Sequence, residues 1–137
     1  MNCHRLWLGL AVAGLAAAGP GSGALQAQEQ PLTRTDLVAA AIGAVDGIDV
    51  VSYIVDAAPG AEVPKHRHPG DEFLYVLDGA VTLSPEGSAS VAVQAGEIFH
   101  LPYGTPHSAG NASESDPARI LVFQVVEQGK PLTEPVE

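Results

Sequence analysis

Residues 60–79 read GAEVPKHRHPGDEFLYVLDG, and their layout decides the fold. His66 and His68 are separated by one residue. On a β-strand alternate side chains share a face, so both imidazoles point one way and Arg67 the other. Pro69-Gly70-Asp71 then reverses the chain, and Glu72 opens the next strand beside the two histidines. Within Glu72–Leu77 the period of two places Glu72, Leu74 and Val76 on one face. Phe73, Tyr75 and Leu77 take the other. A lone histidine on a strand is most often structural. Two at this spacing, a glutamate four residues on, and His107 downstream make a ligand set for a transition metal, with room left for a small molecule.

Outward from this stretch the texture is β. Short runs rich in Val, Ile, Tyr and Phe alternate with Gly, Pro and Asp turns from Ile48 onward. The runs are 48–56, 62–68, 72–77, 80–84, 90–94, 98–101, 106–110 and 119–126. Pro59-Gly60, Pro69-Gly70, Asp78-Gly79, Pro85-Glu86-Gly87 and Ala95-Gly96 separate them. So many short strands in one small domain predict an all-β sandwich or small barrel. No helix-period segment is long enough for a βαβ unit. Thr35-Asp36 ahead of LVAAAIGA has the form of a helix cap, so a short helix is expected there.

Two segments carry a family resemblance. Gly60-AEVPK-His66-Arg67-His68-PGD-Glu72-FLYVLD-Gly79 resembles the first cupin motif, and Gly96-EIFHL-Pro102-Tyr103-Gly104-TP-His107-SAG-Asn111 resembles the second. Every motif position holds the expected residue. The 16 residues between the motifs resemble the spacer of small microbial cupins. The resemblance implies a double-stranded β-helix, a jelly-roll barrel with a metal inside one mouth. It implies His66, His68, Glu72 and His107 as metal ligands, with Glu72 and His107 also serving catalysis. The donor set suits Fe, Mn, Ni, Cu, Co or Zn as divalent ions, and its lack of sulfur argues against a closed structural zinc site. No other cofactor is implied. Gly60, Gly79, Gly96 and Gly104 read as turn or close-approach positions, Pro102 as a stiffener, and Asn111 as a partner for local backbone. That role also discounts the glycosylation sequon at Asn111-Ala112-Ser113.

Leu74 and Val76 are expected to line the cavity with Glu72. Tyr103 is a candidate for its mouth, and His100 a candidate acid or base, weighed against surface placement. Phe73, Tyr75 and Leu77 form an apolar stripe on the opposite face, so a homodimer through this strand is expected.

The start of the chain has a different character. Arg5 precedes the apolar run LWLGLAVAGLAAA at residues 6–18, and no acidic residue occurs before Glu29. This is the layout of a secretory signal peptide, with cleavage expected after Ala24 or Ala27. The run has 13 residues, whereas a spanning helix needs roughly 20, so no stable membrane anchor is expected after cleavage. Cys3 lies ahead of the run, the rest of the chain has no cysteine, and there is no twin-arginine pair. The expected layout is a leader at 1–27, an arm at 28–47, the barrel at 48–128 and an exposed tail at 129–137. A periplasmic or secreted location follows.

Sixteen acidic residues face six basic ones, a net charge of −10, and every acidic residue lies outside the leader. Such a surface repels nucleic acid and anionic lipid. A small molecule is the expected partner. An oxygenase-type enzyme resembling small quercetin-dioxygenase-like cupins is the leading expectation. A non-oxidative metal-assisted isomerase, decarboxylase or hydrolase, or a non-catalytic binding cupin, stand as alternatives, because one fold hosts many functions.

Overall fold

A computed structural model describes residues 31–137. The expected leader, its cleavage points and Cys3 lie outside the described residues. Ten strands and no helix make up the rest: β1 Leu32–Ala41, β2 Ile48–Ala57, β3 Glu62–Arg67, β4 Gly70–Asp78, β5 Ala80–Pro85, β6 Val91–Gln94, β7 Ile98–Leu101, β8 His107–Asn111, β9 Ala118–Glu127 and β10 Glu134–Pro135. They form two five-stranded sheets. One has the order β1-β2-β9-β4-β7, the other β10-β3-β8-β5-β6, and all pairs are antiparallel. Apart from the β5–β6 hairpin, successive strands alternate between the sheets from β3 to β9, which is the jelly-roll winding expected of the sequence.

The core fills the space between the sheets. On β9 the period of two buries Ala118, Ile120, Val122, Gln124 and Val126, and on β4 it buries Glu72, Leu74 and Val76. From the second sheet Val81, Leu83 and Val93 meet them. Gln124 and Glu72 thus stand in rows that are otherwise apolar. They lie directly opposite each other in the β4–β9 register.

Two glycines are required by packing. A Cβ on Gly70 would lie 1.9 Å from the Val125 carbonyl oxygen, so only glycine lets β4 run beside β9 at that point. Gly79 turns β4 into β5 at φ +71°, and its Cβ would meet the Pro117 carbonyl oxygen at 2.7 Å.

Residues 32–41 form a strand, not the helix expected from Thr35-Asp36. They pair along the whole of β2, from Leu32 opposite Ala57 to Ala41 opposite Asp49. Ladder hydrogen bonds over ten residues outweigh one capping signal in a segment without a helical core face. In the tail, Glu134 and Pro135 pair with Arg67 and His66, and none of residues 129–137 is buried.

Candidate metal centre

The three motif histidines come from two adjacent strands and the loop between β3 and β4. His66 near the end of β3 lies directly opposite His107 at the start of β8. His68 follows one residue beyond β3. Their rings pack together, with centroids 4.3 Å apart for His66 and His107 and 4.8 Å for His66 and His68. Arg67 between them is exposed and paired with Glu134 at 2.9 Å, as alternation requires. Glu72 reaches the cluster from β4 of the other sheet. All four side chains are buried, His107 to 1% exposure.

Each ring has one nitrogen committed to the backbone. Nδ1 of His66 donates to the Pro64 carbonyl (2.7 Å), Nδ1 of His68 to the Leu132 carbonyl (2.6 Å), and Nδ1 of His107 to the Thr105 carbonyl (3.0 Å). The tautomer follows from the acceptors: a carbonyl can only receive the proton. Each Nε2 therefore presents a lone pair. One ligating nitrogen from each ring lies within 4.8 Å of the other two. His68 Nε2 lies 2.8 Å from Glu72 Oε2, yet the contact is not a well-directed hydrogen bond and the nitrogen has no partner. Two lone pairs at that distance repel unless a proton or a metal ion stands between them. His107 Nε2 sits 3.9 Å from the other Glu72 oxygen. The residues fit a divalent metal: buried, neutral-nitrogen donors, a carboxylate, and an unmet need for positive charge.

Protonation follows the surroundings. Burial pushes His66 below its ordinary range. Burial acts the same way on His68, but the Glu72 carboxylate outweighs it and raises the group. Burial alone would raise Glu72; the His68 contact and the Gln124 amide outweigh it and hold the carboxyl below its usual range.

Gln124 is the participant that sequence reasoning missed. Its Nε2 donates to Glu72 Oε2, and its Oε1 is buried without a partner. The signal was present: one amide in the inward-facing row 118, 120, 122, 124, 126 of a strand otherwise apolar on that side.

A cavity of about 260 Å³ opens on the cluster. Leu74 lines it as expected, with Val63, Ala109 and Val122. Val76 does not: it is fully buried in the core, further along the inward face of β4. His100 points outward from β7, where it pairs with Asp71 at 2.7 Å and stacks on Phe73. Surface placement, the other reading of that residue, is the one found. Tyr103 also lies outside the cavity. It is 55% exposed and donates its hydroxyl proton to Glu127 on the surface. Asn111 behaves as a backbone partner: Nδ2 is shared among the carbonyls of Ala57, Ala58 and Asp116, and Oδ1 accepts from the Ser113 amide.

Comparison with known proteins agrees with this geometry. The family model described as "Cupin domain" matches residues 53–124. Germin-like protein 1 of Brassica napus is 32% identical over 112 residues, covering 72% of this chain and 54% of its own length. The chain spans about half the length of the germin-like relatives it matches. Among solved structures, oxalate oxidase in complex with the substrate analogue glycolate superposes with a TM-score of 0.60 at 28% identity, covering 77% of this chain and 55% of that one. A cupin-like protein of Thermotoga maritima gives a TM-score of 0.62 at 22% identity, covering 77% and 75%, a likeness of fold alone. With both motifs filled, the jelly roll formed and the histidines converged, this chain belongs to the cupin family.

Proposed function

We propose that this cupin is a mononuclear metal enzyme of the oxidase or oxygenase type, exported from the cytoplasm and acting on a small organic molecule. One observation carries the reading. Three bare imidazole nitrogens and the Glu72 carboxylate converge at the end of a largely apolar cavity. A structural metal needs no such cavity, whereas an open site beside apolar walls binds substrate. The likeness to oxalate oxidase supports the oxidative direction. The leader-like residues 1–27 support export.

His66, His68, His107 and Glu72 would hold the metal. When bound, it would supply a Lewis acid or redox centre for a substrate oxygen. The chain does the rest. Backbone carbonyls fix the ring orientations, and Gln124 holds Glu72 in place. Val63, Leu74, Ala109 and Val122 exclude water from the cavity wall. Glu72 is also the one carboxylate placed to move a proton at the cavity floor.

Elemental analysis of protein purified without chelator, followed by oxygen uptake with small enols, catechols and oxo-acids, tests this. Near-stoichiometric Fe, Mn, Ni or Cu with substrate-dependent uptake is expected. Zinc alone, or turnover without oxygen consumption, would overturn the oxidative assignment.

A homodimer is part of the same proposal. Tyr75, Leu77, Ile98 and Phe123 are exposed, on the β4, β7 and β9 strands of one sheet. Such a patch is larger than scattered surface residues explain.

A further inference from the structure

We infer that Arg34 and Tyr53 form an anion subsite at the end of the cavity away from the histidines, so that the substrate is an elongated organic anion. It would carry a metal-binding head, a short apolar body and a carboxylate tail. The inference rests on the preceding reading that the histidine end holds a metal.

Arg34 is the one Lys or Arg among the cavity-lining side chains. Its guanidinium carbon stands 3.8 Å above the Tyr53 ring centroid. Its hydrogen bond uses Nε, which donates to Asp36 Oδ1 at 2.6 Å. Among the described residues neither terminal nitrogen has a partner, and both are placed for a carboxylate, which the planar fork fits best. The Asp36 side chain is 75% exposed, and solvent screens such an ion pair, so it is a weak competitor. Tyr53 is buried to 8% exposure, and its hydroxyl has no protein partner among the described residues. Burial, and next the Glu72 charge, keep that phenol protonated far above its usual range, so it remains a donor. Tyr53 lines the cavity, so its hydroxyl can donate to an anion bound there.

The strand register gives the length of the substrate. Tyr53 lies opposite Val122, and Val122 opposite Leu74, two residues beyond Glu72. Tyr53 is thus two residues along and two strands across from Glu72, about 12 Å between backbones. Both side chains rise from the same sheet face, so a two-carbon acid at the histidines falls short of Arg34. The intervening wall is apolar, contributed by Leu74, Val122 and Val55. A cavity of about 260 Å³ is smaller than sites for drug-sized ligands, and suits a slim chain or a single ring.

The test is calorimetric titration of the Mn(II)-loaded protein with pimelate, a seven-carbon diacid, and with its monomethyl ester. The wild type should bind the diacid about tenfold more tightly or better, as expected for a charged hydrogen-bonded contact. Arg34→Met should bring that ratio near unity while metal content and ester affinity hold. Arg34→Lys, which keeps the charge and loses the fork, should fall between. Tyr53→Phe should lower diacid affinity about fivefold. Equal binding of acid and ester by the wild type, or an unchanged ratio in Arg34→Met, would overturn the subsite. Repeating the titration on metal-free protein separates the two readings. Diacid binding that persists there and falls in Arg34→Met supports the subsite even if the metal assignment has failed.

Discussion

Removing His107 should abolish the stabilisation that a divalent metal gives this protein. The wild-type site binds metal only when folded, because its donors come from β3, β4 and β8 of two sheets. Metal at a hundredfold excess over its dissociation constant therefore stabilises the fold by about 2.7 kcal/mol. For a domain of roughly a hundred residues, 1 kcal/mol moves the midpoint by about 4 °C, so the rise is about 11 °C. His107→Ala deletes one of three nitrogens and leaves the lone pairs of His66, His68 and Glu72 without a closed site. The metal-free variant also loses the Nδ1 bond to the Thr105 carbonyl, about 1 kcal/mol, and part of its packing. The informative quantity is consequently the difference between melting with and without metal, measured within each variant by differential scanning calorimetry. Wild type and Arg67→Ala should both shift by about 11 °C, since Arg67 faces outward to Glu134. His66→Ala and His107→Ala should shift by no more than a degree or two, roughly. A full shift in His107→Ala, or its loss in Arg67→Ala, would refute the site.

Three further outcomes are expected. Gln124→Leu keeps the volume but removes the amide from Glu72, so metal affinity in a chelator competition should fall about 10–100-fold while the melting midpoint of the metal-free protein changes little. Gly70→Ala should destabilise the fold by about 3 kcal/mol or more in urea titration, since its Cβ would overlap the Val125 carbonyl oxygen; a change under about 1 kcal/mol would show that the β4–β9 contact yields. Light scattering at micromolar concentration should give a dimer mass that Ile98→Asp and Phe123→Asp reduce to the monomer, and a monomeric wild type would rule out the proposed interface.

Much of this arrangement was legible in the sequence because its signals are local. The period of two within each strand already places His66, His68, Glu72, Leu74 and Val76 on inward faces, and burial follows that alternation except through the turn at Pro69-Gly70. Strand limits from Ile48 to Glu127 lie within a residue or two of those read from turn chemistry. What was missed depends on contacts distant in sequence. Val76 faces inward as expected, but the cavity ends short of it, and where a cavity ends is set by packing between sheets. Tyr103 and His100 are held on the surface by Glu127 and Asp71, partners 24 and 29 residues away that no local pattern announces. Strand β1 was obscured because β2 determines its conformation. Its own sequence, with a helix-like cap and alanines, points the other way.

The division between what was legible and what was not follows the division of labour in the barrel. His66, Glu72 and His107 sit where strands are paired on both edges and packed on one face. β3 lies between β10 and β8, β8 between β3 and β5, β4 between β9 and β7. A residue in such a place is constrained by register, glycine contacts and core volume together, so the metal site tolerates little change and reads as a motif. Arg34 sits on β1, an edge strand whose side chains are mostly exposed. Substituting it leaves the core, the ladder and the histidines untouched. Residues on this edge can therefore change which molecule is held without changing how the metal is held. The motif is fixed by strands paired on both edges, and the exposed edge strand β1 is where the proposed subsite could vary.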